Sequence, residues 1–282
     1  MLHIHPIAED KANTQVYEVY QEIKRSLQVS IVPLLFQYLA NFEEYFFYVW
    51  DKIKANIYSD YFQISAKDIT SFTQHEVHNI YSPSSNTVVF TSKLHQVEKE
   101  DILDTVHKLE SLNAKLLVLT VGMREGLKGV HVKEELLLKE STDISKEFFQ
   151  SFSNIVADST KKEAAVSSKM LAPLFGSQAL AFSHYADFFS HVSDDMDHLV
   201  NTENYLTKRV MLEHEVLKKI EGLLPLGCTY TEVAKYAMGL PHFGELLYIL
   251  TETFPSQFPR MLFTSIVMEH SLTYHPTGIQ QM

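Results

Sequence analysis

Hydrophobic positions along the chain recur mostly with helical spacing. Val16, Val19, Tyr20, Ile23 and Leu27 fall at i, i+3, i+4, i+7 and i+11, with Glu18, Gln21, Glu22, Lys24 and Arg25 on the other faces. That spacing predicts an amphipathic helix. From Ile31 to Ile53 the pattern changes: Leu34, Leu35, Phe36, Tyr38, Leu39, Phe42, Phe46, Phe47, Val49 and Trp50 point in almost every direction. A helical region buried on most sides is expected there. Residues 82–87, Ser-Pro-Ser-Ser-Asn-Thr, read as a loop. Ile102, Leu103, Val106 and Leu109 mark an amphipathic helix, and Leu116 to Leu127 a second, apolar one. Thr229 and Glu232 have the spacing of a capping box that opens a helix. Strand-like alternation is scarce. Thr87-Val88-Val89-Phe90-Thr91 is its best candidate and stands alone. The pattern predicts an all-α fold.

The helical pattern also repeats. Residues 113–127, NAKLLVLTVGMREGL, lie without gaps on residues 258–272, FPRMLFTSIVMEHSL, so that Lys115 meets Arg260, Leu116 meets Met261, Leu117 meets Leu262, Met123 meets Met268 and Leu127 meets Leu272. Run backward, the same register places Glu100 on Glu245 and Ile102 on Leu247. Residues 40–46 resemble residues 183–189 at nearly the same offset. Two matches at nearly one offset predict a duplication. Repeat one then spans residues 1–127 and repeat two residues 148–273, with a tail over 274–282. The charged stretch 128–147, KGVHVKEELLLKESTDISKE, reads as the connector. A fused pair of this kind forms an intramolecular pseudo-dimer, whose interface is a natural place for a ligand cavity.

Composition narrows the partners. A chain of 282 residues, 45% apolar, can fill a large core and suits about two units of 140 residues. The balance of 24 Lys plus Arg against 35 Asp plus Glu gives −11, which argues against a broad nucleic-acid-binding face. The single cysteine, Cys228, excludes an internal disulfide framework and a Cys-rich zinc site, and a reducing, cytoplasmic setting is expected. Its place just before the capping box suggests a structural thiol, although a helix start can also lower a thiol pKa. The start, Met1 to Pro6, lacks the features of a signal peptide. The apolar runs Ile31 to Phe36 and Leu116 to Gly122 fall far short of the roughly 20 residues that span a bilayer. No membrane partner is expected, and a homodimer is left open.

Candidate chemistry is sparse. Glu213-His214-Glu215 does not extend to HExxH, and no GxSxG elbow, phosphate-binding glycine loop or dinucleotide fingerprint occurs. His184, His191 and His198 lie seven apart, with Asp187, Asp194 and Asp195 among them. Two helical turns separate neighbours by about 10.5 Å, too far for one metal ion without other ligands. Asp187 and His191, four apart, could form an Asp-oriented His base. The plainer reading is a polar helix face of solvated His–Asp pairs. No metal site is expected.

Val29-Ser30-Ile31-Val32, then Phe36, Leu39-Ala40-Asn41-Phe42, Tyr45 and Trp50, resemble the entry helices of the group I, non-stereospecific 2-haloacid dehalogenases. Asn113-Ala114-Lys115-Leu116-Leu117-Val118-Leu119-Thr120 resembles that family's Asn-Pro-Lys-Tyr-Leu-Leu helix, and Gly176-Ser177-Gln178-Ala179-Leu180-Ala181 extends the likeness. The resemblance implies a duplicated all-α pseudo-dimer that hydrolyses the carbon–halogen bond of small 2-haloalkanoic acids. In that family an Asp activates a water that attacks the α-carbon directly, an Asn holds the water, and no metal or organic cofactor takes part. The implied partner is a small carboxylic acid.

Carried onto this chain, the resemblance makes Asn113 the water-positioning residue, with an N-cap opening the Leu116 helix as the other reading of it. Ser177 stands beside the position of the base. That position itself holds Gln178, and residues 164–186 contain no Asp or Glu. A neutral amide cannot accept the proton of an attacking water. Ile31 and Leu34 stand where the family carries Trp and Phe, with Leu116 beside them in the implied pocket. His184, six residues after Gln178, is the candidate replacement base. A catalytically silent relative that binds a small carboxylic acid, or serves as a scaffold, is the alternative.

Overall fold

The computed structural model describes residues 3–129 and 186–274. Most of the expected connector, the start of the second repeat, and Ser177, Gln178 and His184 lie outside the described residues. Among those described, every regular element is helical and no strand occurs.

The helices begin where local chemistry supplies a cap. In α1 (Thr14–Leu27) the Asn13 side chain accepts the Val16 N–H, and Val16, Tyr20, Ile23 and Leu27 are buried as the spacing predicts. The region expected as one buried stretch from Ile31 to Ile53 is two helices, α2 (Leu34–Leu39) and α3 (Glu43–Ile57). The break falls at Ala40-Asn41-Phe42, where the Asn41 amide donates to the Tyr38 and His5 carbonyls and so stabilises the turn. Helix α4 (Asp60–Ile80) starts on a Ser59 cap.

Helix α5 (Ser85–Lys93) corrects two expectations. It takes in Thr87–Thr91, the strand candidate, and begins inside the 82–87 loop. The Ser84 hydroxyl accepts the Thr87 N–H, and Thr87 and Thr91, four apart, are both buried. Capping and helical burial together override the β-propensity of Thr-Val-Val.

The long helix α6 (Gln96–Leu127) corrects a third. The two helices expected on either side of residues 110–115 are one, so Asn113 sits inside a helix and caps nothing. Then follow α7 (Ala186–Leu199), α8 (Glu203–Ile220) and α9 (Tyr230–Ala237), the last opened by the expected Thr229–Glu232 capping box. Gly227 precedes it at φ 70°, where a Cβ would lie 2.8 Å from a Tyr48 ring carbon, so the turn requires glycine. Short α10 (Phe243–Tyr248) leads through a π-helical turn, Ile249–Thr253, into α11 (Phe254–Thr273).

Helices α6 and α11 pack against each other along the centre, flanked by α4 and α8. Helix α7 lies on α11 and α5 on α7, while α1, α3 and α9 form the remaining layer. One continuous hydrophobic core joins the two ends of the chain and includes fully buried Trp50, Phe46, Phe62, Phe188, Phe254 and Phe263. No helix among the described residues is long and apolar enough to cross a membrane.

Candidate functional site

A cavity of about 310 Å³ opens where the α1–α2 loop meets α6 and the start of α11. Three segments build it, and each does so for a local reason. Helix α1 ends with Gln28 in the left-handed region at φ 58°, its N–H turned back to the Arg25 and Lys24 carbonyls. That cap sends Val29, Ser30 and Ile31 across the mouth of the cavity, and Pro33 and Leu34 open α2 against it. Helix α6 contributes Thr105, Lys108, Leu109, Leu112, Asn113 and Leu116, which share one face at i, i+3/i+4, i+7/i+8 and i+11. Helix α11 contributes Phe254, Phe258 and Met261.

The cavity therefore has an apolar interior of leucine, phenylalanine and methionine side chains. Its hydroxyl and ammonium groups come from Ser30, Thr105 and Lys108. Lys108 is exposed and pairs with Asp104 one turn before it. No carboxylate lines the cavity among the described residues.

Asn113 is fully buried. Its amide donates to the Met261 carbonyl at 3.2 Å and to Ser265 Oγ at 3.5 Å, which ties the middle of α6 to α11. Asparagine is a poor helix former, so this position is held by its tertiary partners rather than by local propensity. Lys115, two residues on, is half-buried, and burial lowers its pKa.

Of the site residues expected from the sequence, the structure brings Asn113, Ile31, Leu34 and Leu116 to one cavity. Ser177, Gln178 and His184 fall outside the described residues. The sequence reading missed Lys108, Thr105, Leu109 and Leu112 because it placed a helix break near them. A continuous helical wheel over 96–127 would have put all four on the Asn113 face.

The other candidates resolve differently. Asp195 is not part of a solvated polar face: it is buried, and its Oδ2 accepts hydrogen bonds from Tyr81 Oη at 2.7 Å, Thr87 Oγ1 at 2.9 Å and the Ser84 N–H at 3.1 Å. Asp187 is exposed, and no hydrogen bond joins it to His191 among the described residues; the His191 ring lies instead 5.0 Å from that of Phe90. Cys228 is buried, accepts from Tyr45 Oη at 3.4 Å and donates to the Leu226 carbonyl at 3.2 Å. Burial pushes its thiol up to about 12, so the helix start does not activate it.

Comparisons with known proteins agree with the all-α fold. The family described as "Halocarboxylic acid dehydrogenase DehI" matches residues 30–168. No curated protein matches the sequence. Among solved structures, one described as a D-2-haloacid dehalogenase complex with L-LA is similar at a TM-score of 0.69 and 14% identity, covering 95% of this chain and 96% of its own. A D-2-haloacid dehalogenase mutant with D-2-CPA matches at 0.69 and 13% identity, and a further mutant at 0.70 and 13%, with the same coverage. At that identity the likeness is one of fold.

Proposed function

We propose, from the match of residues 30–168 to the family described as halocarboxylic acid dehydrogenase DehI, that the cavity between α6 and α11 takes a small 2-haloalkanoic acid and is where its carbon–halogen bond is hydrolysed. The observation that carries the proposal is convergence. Asn113, Ile31, Leu34 and Leu116 come from separate parts of the sequence and line one cavity with Phe254, Phe258 and Met261. An apolar interior suits the alkyl group and the departing halide, and Lys108 with Thr105 and Ser30 offers a cation and hydroxyls for the carboxylate.

In the proposed reaction a water oxygen forms a bond to the α-carbon while the carbon–halogen bond breaks, and the halide leaves with the electron pair. The water's proton must pass to a base. Gln178 stands at the expected base position and cannot take it, so His184 is the proposed acceptor. The three pairs Leu109 and Phe254, Asn113 and Phe258, and Leu116 and Met261 lie in the register of the proposed duplication and all line this cavity, which supports a single site between two repeats.

A second reading, binding of a small carboxylic acid without turnover, is favoured by the absence of a carboxylate among the described lining residues. Halide release from 2-chloropropionate separates the two. Release above buffer by wild type, abolished in His184→Ala, supports hydrolysis. Ligand-dependent thermal stabilisation without release, with release appearing in Gln178→Asp, supports the binder. Neither stabilisation nor release from wild type overturns both.

A further inference from the structure

Away from the cavity, α6 and α11 meet a second time, where Glu110 and His107 face Glu269. A carboxylate oxygen of Glu110, one of Glu269 and a ring nitrogen of His107 all lie within 4.8 Å of one another. His107 Nε2 is 3.2 Å from Glu269 Oε1. The Gln74 amide on α4 donates to Glu269 Oε2 at 3.0 Å and to Glu110 Oε2 at 3.4 Å, which holds the two carboxylates side by side.

Two facts point to a missing partner. Glu110 is only 3% exposed, and with both carboxylates ionised its buried Oε1 has no donor. A buried carboxylate oxygen without a partner is expensive, and a second carboxylate beside it adds repulsion. The site is also reachable, since His107 is more than half exposed at its rim.

We propose that His107, Glu110 and Glu269 bind one divalent transition-metal ion that clasps α6 to α11. One imidazole and two carboxylates form a mixed nitrogen and oxygen set of the kind that suits Zn2+ better than Mg2+ or Ca2+, which prefer oxygen alone. The ion answers the unpaired Glu110 oxygen and the carboxylate repulsion together, and the Gln74 amide holds the two carboxylates side by side. The site lies outside the proposed reaction and makes no demand on it.

The test is calorimetric titration of Zn2+ into the chelator-stripped full chain, with thermal unfolding recorded beside it. The expected result is about one ion per chain with stabilisation, and binding weakened about tenfold or more in both Glu110→Gln and His107→Ala. His107 is exposed enough that its alanine variant tests the site even if Glu110→Gln folds poorly. His242→Ala, which alters the exposed His3, His242 and Glu245 group, is expected to leave this binding unchanged. Absence of binding tighter than about 100 µM, or binding undiminished in His107→Ala, overturns the proposal.

Discussion

Asn113 shows how one polar side chain can serve packing and a site together. It lies in the middle of α6, fully buried, and its amide bridges to α11 through Met261 and Ser265. Asn113→Ala removes that bridge and leaves the Met261 carbonyl and Ser265 hydroxyl without their neighbour. A loss of about 1 to 3 kcal/mol is expected from urea unfolding. Cys228 makes the opposite point, that of a group held inert. With its thiol pushed up to about 12 by burial, it is expected to resist a thiol reagent at pH 8 while the chain is folded and to react fully in urea. Rapid labelling of the native chain would contradict this.

Glu245 is a third case, with a pH signature. Partial burial works against its charge, but the Ile4 and His3 backbone N–H groups and the His242 ring outweigh it and bring the carboxyl down to about 2, from an ordinary 4.5. A depressed carboxylate stabilises the fold above its unfolded value and loses that contribution as the pH falls towards its folded one. The stability difference between wild type and Glu245→Gln is therefore expected to shrink between about pH 4.5 and 2, measured by urea unfolding across that range. The inert role of Cys228 was legible in the sequence from its place before a capping box. The setting of Asn113 was not, because a helix end drawn too early turned a buried bridge into an N-cap.

At the scale of elements, tertiary burial decides what local propensity leaves ambiguous. Helix α5 is built from Ser, Thr and Val, and its alternation reads equally as a strand. It is a helix because Ser84 caps it and because Thr87 reaches Asp195 on α7. Tyr81 and the Ser84 N–H reach the same side chain, so one buried acceptor fixes the entry and first turn of α5. Asp195→Ala is expected to cost about 3 kcal/mol, since it removes the acceptor that three donors share and leaves the Ser84 N–H without one, while Tyr81 keeps Ser271 and Thr87 keeps Ser84 Oγ. Increased protease cleavage within residues 82–93 would locate that loss at α5. The helices with clear apolar stripes, α1 above all, were legible because their period survives without any knowledge of what covers them. The α2–α3 break was not: Phe and Leu on every side hide the turn that Asn41 makes.

For the whole molecule, the all-α class followed from spacing, and the structure adds that both ends of the chain share one core around α6 and α11. The proposed repeat register pairs Leu109 with Phe254, Asn113 with Phe258 and Leu116 with Met261, and all six residues line one cavity. Which polar groups face that cavity could not be read from the chain, since Lys108 joins the site only once α6 is continuous. Lys108 offers the most direct test of the central claim. It lies at the cavity and is exposed, so its charge can be reversed without disturbing the core. Calorimetric titration of 2-chloropropionate into wild type and Lys108→Glu is predicted to show one saturable site in wild type, weakened about tenfold in the variant. No saturable binding by wild type, or equal binding by both proteins, would contradict the assignment of this cavity to a small haloacid.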